Sequence, residues 1–257
     1  MAVTRRLTSS RSIARQRRAE RADRARRYSQ PMSGTPMWRA AAGLTNLVVV
    51  LGVVLFGSAG TIRFIEGWVF LGLFAGASLA ITIYLARNDP ALLARRTHAG
   101  PLAEKERSQK VIQTVAGVSF LSTIMVPALD RRFGWSHEPL ALVVVGDALI
   151  LVGFLIVFLV FRQNTYTSSV IEVASEQRVI ESGPYAIVRH PMYAGALVLL
   201  VGIPMALGSL VGLAALPPLA AVIVWRLLDE ERFLVERLPG YTAYRAKSRY
   251  RLIPQIW

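Results

Sequence analysis

Uncharged stretches of regular length set the pattern of this 257-residue chain. Residues 40–59 (AAAGLTNLVVVLGVVLFGSA) and 67–86 (GWVFLGLFAGASLAITIYLA) carry no charge, and each has the ~20 residues a helix needs to cross a hydrocarbon core. Residues 111–129 predict a third span and 139–161 a fourth, which holds one acid, Asp147. A fifth block, 191–225, is uncharged throughout. As a single helix rising ~1.5 Å per residue it would be about 52 Å long, far more than a bilayer requires. It must fold back, with Gly208-Ser209 as the turn and Pro204, Pro217 and Pro218 interrupting the backbone ladder. The pattern predicts an all-α polytopic membrane bundle of about six crossings (about 40–59, 67–86, 111–129, 139–161, 192–208 and 210–226). The last two form a tight helical hairpin.

Composition and charge agree with that reading and orient it. Mean hydropathy is +0.42 and 53% of residues are hydrophobic, values of a membrane protein when the apolar residues come in blocks. The net charge of +14 would suit nucleic acid if it were clustered on one face, but the basic residues flank the apolar blocks, so no nucleic-acid partner is expected. Segments 1–39, 87–110, 162–191 and 226–257 hold 27 of the 30 basic residues, and loops 60–66 and 130–138 hold three. The positive-inside rule then places both termini in the cytoplasm. Only Lys105, Lys110 and Lys247 are lysines, an arginine bias that points to a bacterial inner (plasma) membrane. Residues 1–38 lack the apolar core of a signal peptide and read as a polybasic cytoplasmic arm, disordered or interfacial, attracted to anionic membrane lipids. With no cysteine, disulfides, thiolate metal sites and a cysteine nucleophile are excluded.

The short outer loops leave no room for an external domain, so polar chemistry must collect at the inner end. Between the fourth span and the hairpin, Ser182-Gly183-Pro184 reads as a turn. Pro191 suits the first turn of a helix, where its missing N–H has no intrahelical partner to lose. Arg189-His190 therefore sits at a helix N-terminus, whose free N–H groups favour an anionic ligand group. A plainer reading makes Arg189 a membrane-edge marker and His190 a cap. Trp225-Arg226-Leu227-Leu228-Asp229-Glu230-Glu231-Arg232 continues the last span as helix, with Arg226 and Glu230 at i and i+4. Charges of both signs thus meet at one mouth, among Tyr185, Tyr193 and Trp225. Leu238-Pro239-Gly240-Tyr241 ends that helix, and the residues beyond it form a cytoplasmic helical cap. Asp147 reads as a structural acid between helices. His98, His137 and His190 lack metal-ligand spacing, so no metal is expected. Gly72, Gly76 and Ala80 make a small-residue stripe for helix packing or a homodimer seam.

"GPYAIVRHPMYAG" at 183–195, together with "RLLDEERFL" and "GYTAY" in the tail, resembles the isoprenylcysteine carboxyl methyltransferases and their bacterial relatives. The resemblance covers a core of about 160–257. It implies a membrane enzyme that uses S-adenosylmethionine, with the donor in a pocket at the cytoplasmic face and a lipid-like or hydrophobic acceptor arriving from the bilayer. It implies that Tyr185, His190, Pro191, Tyr193, Glu230 and Glu231 line that pocket, beside the turn of Gly183 and Pro184, with Asn164 adding an amide contact. For carboxyl O-methylation the nucleophile is already ionised, and alignment matters more than a base. Arg226 is then the first choice to hold the acceptor carboxylate in its guanidinium fork and Arg189 the second. For a thiol or amine acceptor, the glutamate pair or His190 would serve as base. The ending "YRLIPQIW" also resembles the tail of membrane sterol and steroid reductases that use NADPH. A non-catalytic membrane scaffold is the remaining alternative.

Overall fold

The computed structural model describes residues 35–97, 107–169, 171, 173 and 177–257. Most of the expected polybasic arm, and His98, lie outside the described residues. The helices are α1 (Thr35–Ala59), α2 (Ile65–Asn88), α3 (Pro90–Thr97), α4 (Arg107–Phe133), α5 (Leu140–Gln163), α6 (Pro191–Ala206), α7 (Leu216–Arg237) and α8 (Tyr241–Lys247). Two 3-10 turns, Gly183–Ala186 and Val211–Ala215, complete the order, and no strand occurs among the described residues.

Five helical segments are long and apolar enough to cross a membrane: α1, α2, α4, α5, and α7 with the turn that precedes it. The shorter apolar helix α6 is the sixth. The chain is thus an all-α polytopic bundle. Val53, Val118, Val144 and Leu155 are exposed on α1, α4 and α5; such a surface is a liability in water and the normal outer face of a bundle in lipid. Trp38, Trp68 and Trp135 are exposed near helix ends, the level at which aromatic belts meet headgroups.

The fold-back lies where the uncharged run demanded it. Gly208 adopts φ +68°. Its N–H donates to Met205 O at 2.9 Å, and the Ser209 N–H donates to Pro204 O at 2.9 Å. This is a Schellman closure, whose left-handed residue is cheapest as glycine. The helix so delivered packs most extensively on α5 rather than on its hairpin partner α7. Glycines explain why. A Cβ at Gly146 would lie 2.1 Å from Ala206 N, and one at Gly153 2.6 Å from Leu199 Cβ. From the other side, a Cβ at Gly202 would lie 2.7 Å from Gly146 O, and one at Gly195 2.9 Å from Ile156 Cγ2. Both glycine pairs are spaced by seven residues, two helical turns, so each helix presents a flat stripe and the backbones touch. By contrast, Gly72 and Gly76 have nothing among the described residues within 4 Å of an added Cβ.

The two ends of the bundle differ. At one, the buried Asp130 of α4 gathers the following loop and the hairpin turn. Its carboxylate accepts from the Ser136 N–H at 2.7 Å, the Ser136 hydroxyl at 2.6 Å and the Ser209 hydroxyl. The other is polar. There Asp89 Oδ1 accepts from Leu92 N–H at 2.9 Å and caps α3, with Pro90 at the first helical position. Leu92 and Leu93 bury against Leu85 and Phe161, so the short helix lies across the ends of α2 and α5.

Candidate active site

The polar end is built around Glu231. One turn beyond the apolar part of α7, it accepts from Arg189 Nε at 2.7 Å and Arg251 Nε at 3.0 Å, and lies 3.3 Å from His190 Nε2. The Arg189 and His190 backbone N–H groups donate to Tyr250 O and Arg251 O, each at 2.9 Å. Arg189 Nη1 adds bonds to Ser248 O at 2.8 Å and Arg249 O at 2.9 Å. The turn before α6, helix α7 and the tail after α8 are thereby one unit. Arg189, His190 and Glu231 are all buried, and burial of charge is tolerable because each is paired. Arg189, expected as the second choice to hold the acceptor carboxylate, has its Nε engaged by Glu231 and its Nη1 by two carbonyls. The His190 side chain does not cap α6; its ring faces Glu231 and lies 5.9 Å from the Tyr193 ring.

Glu230, the neighbour of Glu231, has a separate partner. It accepts the Tyr193 hydroxyl at 2.6 Å. Consecutive residues on a helix diverge by about 100°, so the acidic pair serves two directions. One helical turn earlier, Arg226 Nη1 donates to Gln109 Oε1 at 2.9 Å and Nη2 to Ser169 O at 2.8 Å. Gln109 in turn donates to Asp229 at 3.0 Å, which ties α4 to α7.

A cavity of about 120 Å³ opens among these groups. His190, Pro191 and Tyr193 from α6 and its lead-in form one wall, and Arg226 and Glu230 from α7 form another. Asn164, Tyr185 and Arg189 also line it, whereas Gly183, Pro184, Glu231 and Trp225 do not. Gly183, at φ +62°, opens the turn that presents Tyr185. Asn164 is engaged locally: its amide nitrogen donates to Tyr185 Oη at 2.9 Å, and its Oδ1 accepts from Tyr166 N–H at 2.9 Å. The tail adds Tyr241 and Tyr244 to the lining. Tyr244 donates to Tyr185 O at 2.8 Å, and burial, its largest cause, pushes its hydroxyl up to about 12. Burial, helped by the charges of Glu231 and Glu230, also raises Tyr241. Its hydroxyl is buried with no hydrogen-bond partner among the described residues. Sequence reasoning placed Tyr241 at the end of a helix and in the GYTAY motif of the resemblance, without a place in the site; an unpartnered donor is a property of packing and leaves no mark in composition.

Residues 141–239 match the phospholipid methyltransferase family. That family is related to the isoprenylcysteine carboxyl methyltransferases. The matched segment runs from the first turn of α5 through α7, so it contains the glycine seam, the Schellman turn, the Arg189-His190 corner and both glutamates, and it leaves out α1 to α4 and α8. No curated protein matches the chain. The match covers 99 of the 257 residues and, with the apolar helices, supports a membrane methyltransferase.

Proposed function

We propose that the chain is an S-adenosylmethionine-dependent methyltransferase that esterifies the carboxylate of a lipophilic, isoprenoid- or lipid-like acceptor. In this reading it sits in a bacterial inner membrane with the polar end in the cytoplasm, as the arginine distribution supports. The observation that carries the proposal is the cavity lined by His190, Tyr193, Arg226 and Glu230. The match at 141–239 supports methyl transfer over nicotinamide reduction or a scaffold.

The residues present fit the donor. S-Adenosylmethionine offers an ammonium, ribose hydroxyls, ring nitrogens and a sulfonium; Glu230 supplies a carboxylate, Tyr185 and Tyr193 supply aromatic faces, and Tyr241 supplies a buried hydroxyl in need of an acceptor. When bound, the donor supplies a methyl carbon whose bond to sulfur breaks as an acceptor oxygen bonds to it, with no proton to remove when that oxygen belongs to a carboxylate. The chain's task is then alignment. Arg226 orients the acceptor carboxylate, held in place by Gln109 and the Ser169 carbonyl. Arg189 acts as a tie that fixes His190 and the start of α6 against Glu231.

A second reading has its own support. The matched family is named for phospholipid substrates, and the half-buried Tyr193–Glu230 pair is a suitable proton sink for an amine acceptor. Purified full-length protein incubated with methyl-labelled S-adenosylmethionine and a bacterial lipid extract distinguishes the two. Base-labile label in the lipid fraction is the expected result, base-stable label moves the reaction to nitrogen or sulfur, and failure to bind the donor overturns both. Arg226→Ala should abolish transfer with donor affinity largely kept; equal loss of both would remove its assigned role.

A further inference from the structure

Arg226 has a companion that lies outside the family-matched segment. We propose that Arg96, delivered by α3, forms with Arg226 a two-guanidinium site for the acceptor's anionic headgroup, a carboxylate or a phosphate, and so acts as a specificity-determining residue. The inference rests on the acceptor-site reading above, though its test does not depend on methyl transfer.

The two side chains converge on one strand from different elements. Arg226 Nη2 holds Ser169 O at 2.8 Å. Arg96 Nη1 reaches the preceding carbonyl, Ser168 O, at 3.3 Å, and lies 4.0 Å from Met192 Sδ. Ser169 closes the arrangement by donating its hydroxyl to Arg96 O at 3.2 Å. Ser168 and Met192 line the cavity, as Arg226 does. Arg96 therefore stands just behind the cavity wall on the side that Arg226 enters.

Its own partners are weak. A guanidinium carries five N–H donors, and those of Arg96 are met by one long bond to a carbonyl and one sulfur contact. Its face stacks 5.1 Å from the Phe161 ring centroid. Among the described residues no carboxylate forms an ion pair with it. Burial above all, opposed by Tyr193 and helped by the charge of Arg226, pushes its pKa below the usual arginine value. Two guanidinium groups brought to adjacent carbonyls bind a shared anion through several charge-assisted bonds.

Position separates the acceptor from the donor as the source of that anion. α3 packs on Leu85 and Phe161, at the boundary between the apolar helices and the polar end. A lipid headgroup lies at that level while its chain stays in hydrocarbon. Tyr241, assigned to the donor, lies on α8.

The alternative is that Arg96 merely fastens the strand after α5. The full chain in neutral detergent is titrated with dodecyl phosphate, dodecanoate and dodecanol, with binding read from tryptophan fluorescence. The anionic probe that binds wild type more tightly identifies the headgroup. Arg96→Gln is expected to weaken it by about tenfold or more, the scale of one charge-assisted hydrogen bond, and to leave dodecanol and S-adenosylmethionine unchanged. Arg96→Lys, which keeps the charge and guards against misfolding of the first variant, should lose less. The proposal is overturned if neither anion binds wild type better than dodecanol does, if Arg96→Gln weakens all three probes alike, or if donor affinity falls in their place. If anion binding depends on Arg96 in a protein that neither binds nor uses the methyl donor, the site stands and the methyltransferase reading falls.

Discussion

Two buried carboxylates hold the two ends of this bundle, and their partners are of opposite kinds. Asp130 accepts only from neutral donors, a backbone N–H and two hydroxyls. Glu231 accepts from two guanidinium groups and faces an imidazole. Each ties its helix to other segments of the chain, Asp130 to the following loop and the hairpin turn and Glu231 to the start of α6 and the tail. The difference lies in what remains once the carboxylate is satisfied. At Asp130 these bonds close the hairpin turn onto the loop after α4. Around Glu231 the same bonds that neutralise Arg189 also orient His190 and the first turn of α6, which line a cavity. Polarity at this end is thus organised for a charged visitor, and at the other for closure.

Glu231→Gln tests the comparison most severely. The amide keeps the shape but leaves Arg189 and Arg251 without their counter-charge, and Arg189 is buried. Breaking a buried pair from one side costs about 3–5 kcal/mol, so a large fall in thermal midpoint in detergent is expected, with loss of donor binding as the His190 wall loosens. A loss under about 1 kcal/mol would mean that the backbone bonds from 189 and 190 to 250 and 251 hold the corner unaided.

Asp130→Asn should cost less, since one side-chain oxygen still accepts and the lost bonds come from neutral groups, about 1–3 kcal/mol. Affinity for S-adenosylmethionine should stay within twofold, an expectation about this distant end and its separation from the site. If donor binding fell in step with stability, the two ends would be coupled through α7, and the distinction between closure and chemistry would fail.

The sequence already exposed the coarse design, for physical reasons. Runs without charge have no stable alternative to helices in lipid, and a 35-residue run cannot be one crossing, so the turn at Gly208 followed from length alone. The Arg-His-Pro corner and the charged continuation of α7 were visible because polar residues at a membrane boundary stand out. What stayed hidden depended on direction or on distance. Glu230 and Glu231 looked like one acidic pair, yet helix geometry points them at Tyr193 and at Arg189. Arg226 ranked before Arg189 as holder of the acceptor carboxylate, but no local pattern showed that Glu231 and the tail engage Arg189. Arg96 lies 130 positions before Arg226, and no local pattern announces that α3 brings it to the same strand. The glycines of α5 and α6 had heptad spacing in plain view, but in segments apolar on every face that spacing names no partner.

Tyr241→Phe is the smallest and most specific change, because it should move stability and affinity in opposite directions. In the protein alone the Tyr241 hydroxyl is buried without a partner, and removing an unsatisfied polar group leaves stability unchanged or raises it by up to about 1 kcal/mol. If that hydroxyl donates to the methyl donor, the variant loses one neutral hydrogen bond, worth about 0.5–1.5 kcal/mol, and S-adenosylmethionine should bind about three- to tenfold more weakly by titration calorimetry. A variant that is less stable would mean the hydroxyl is satisfied within the folded chain. One with unchanged donor affinity would place the donor away from the α8 side of the cavity, and would shift the weight of recognition to Glu230 and Tyr193 on the walls nearer Arg226.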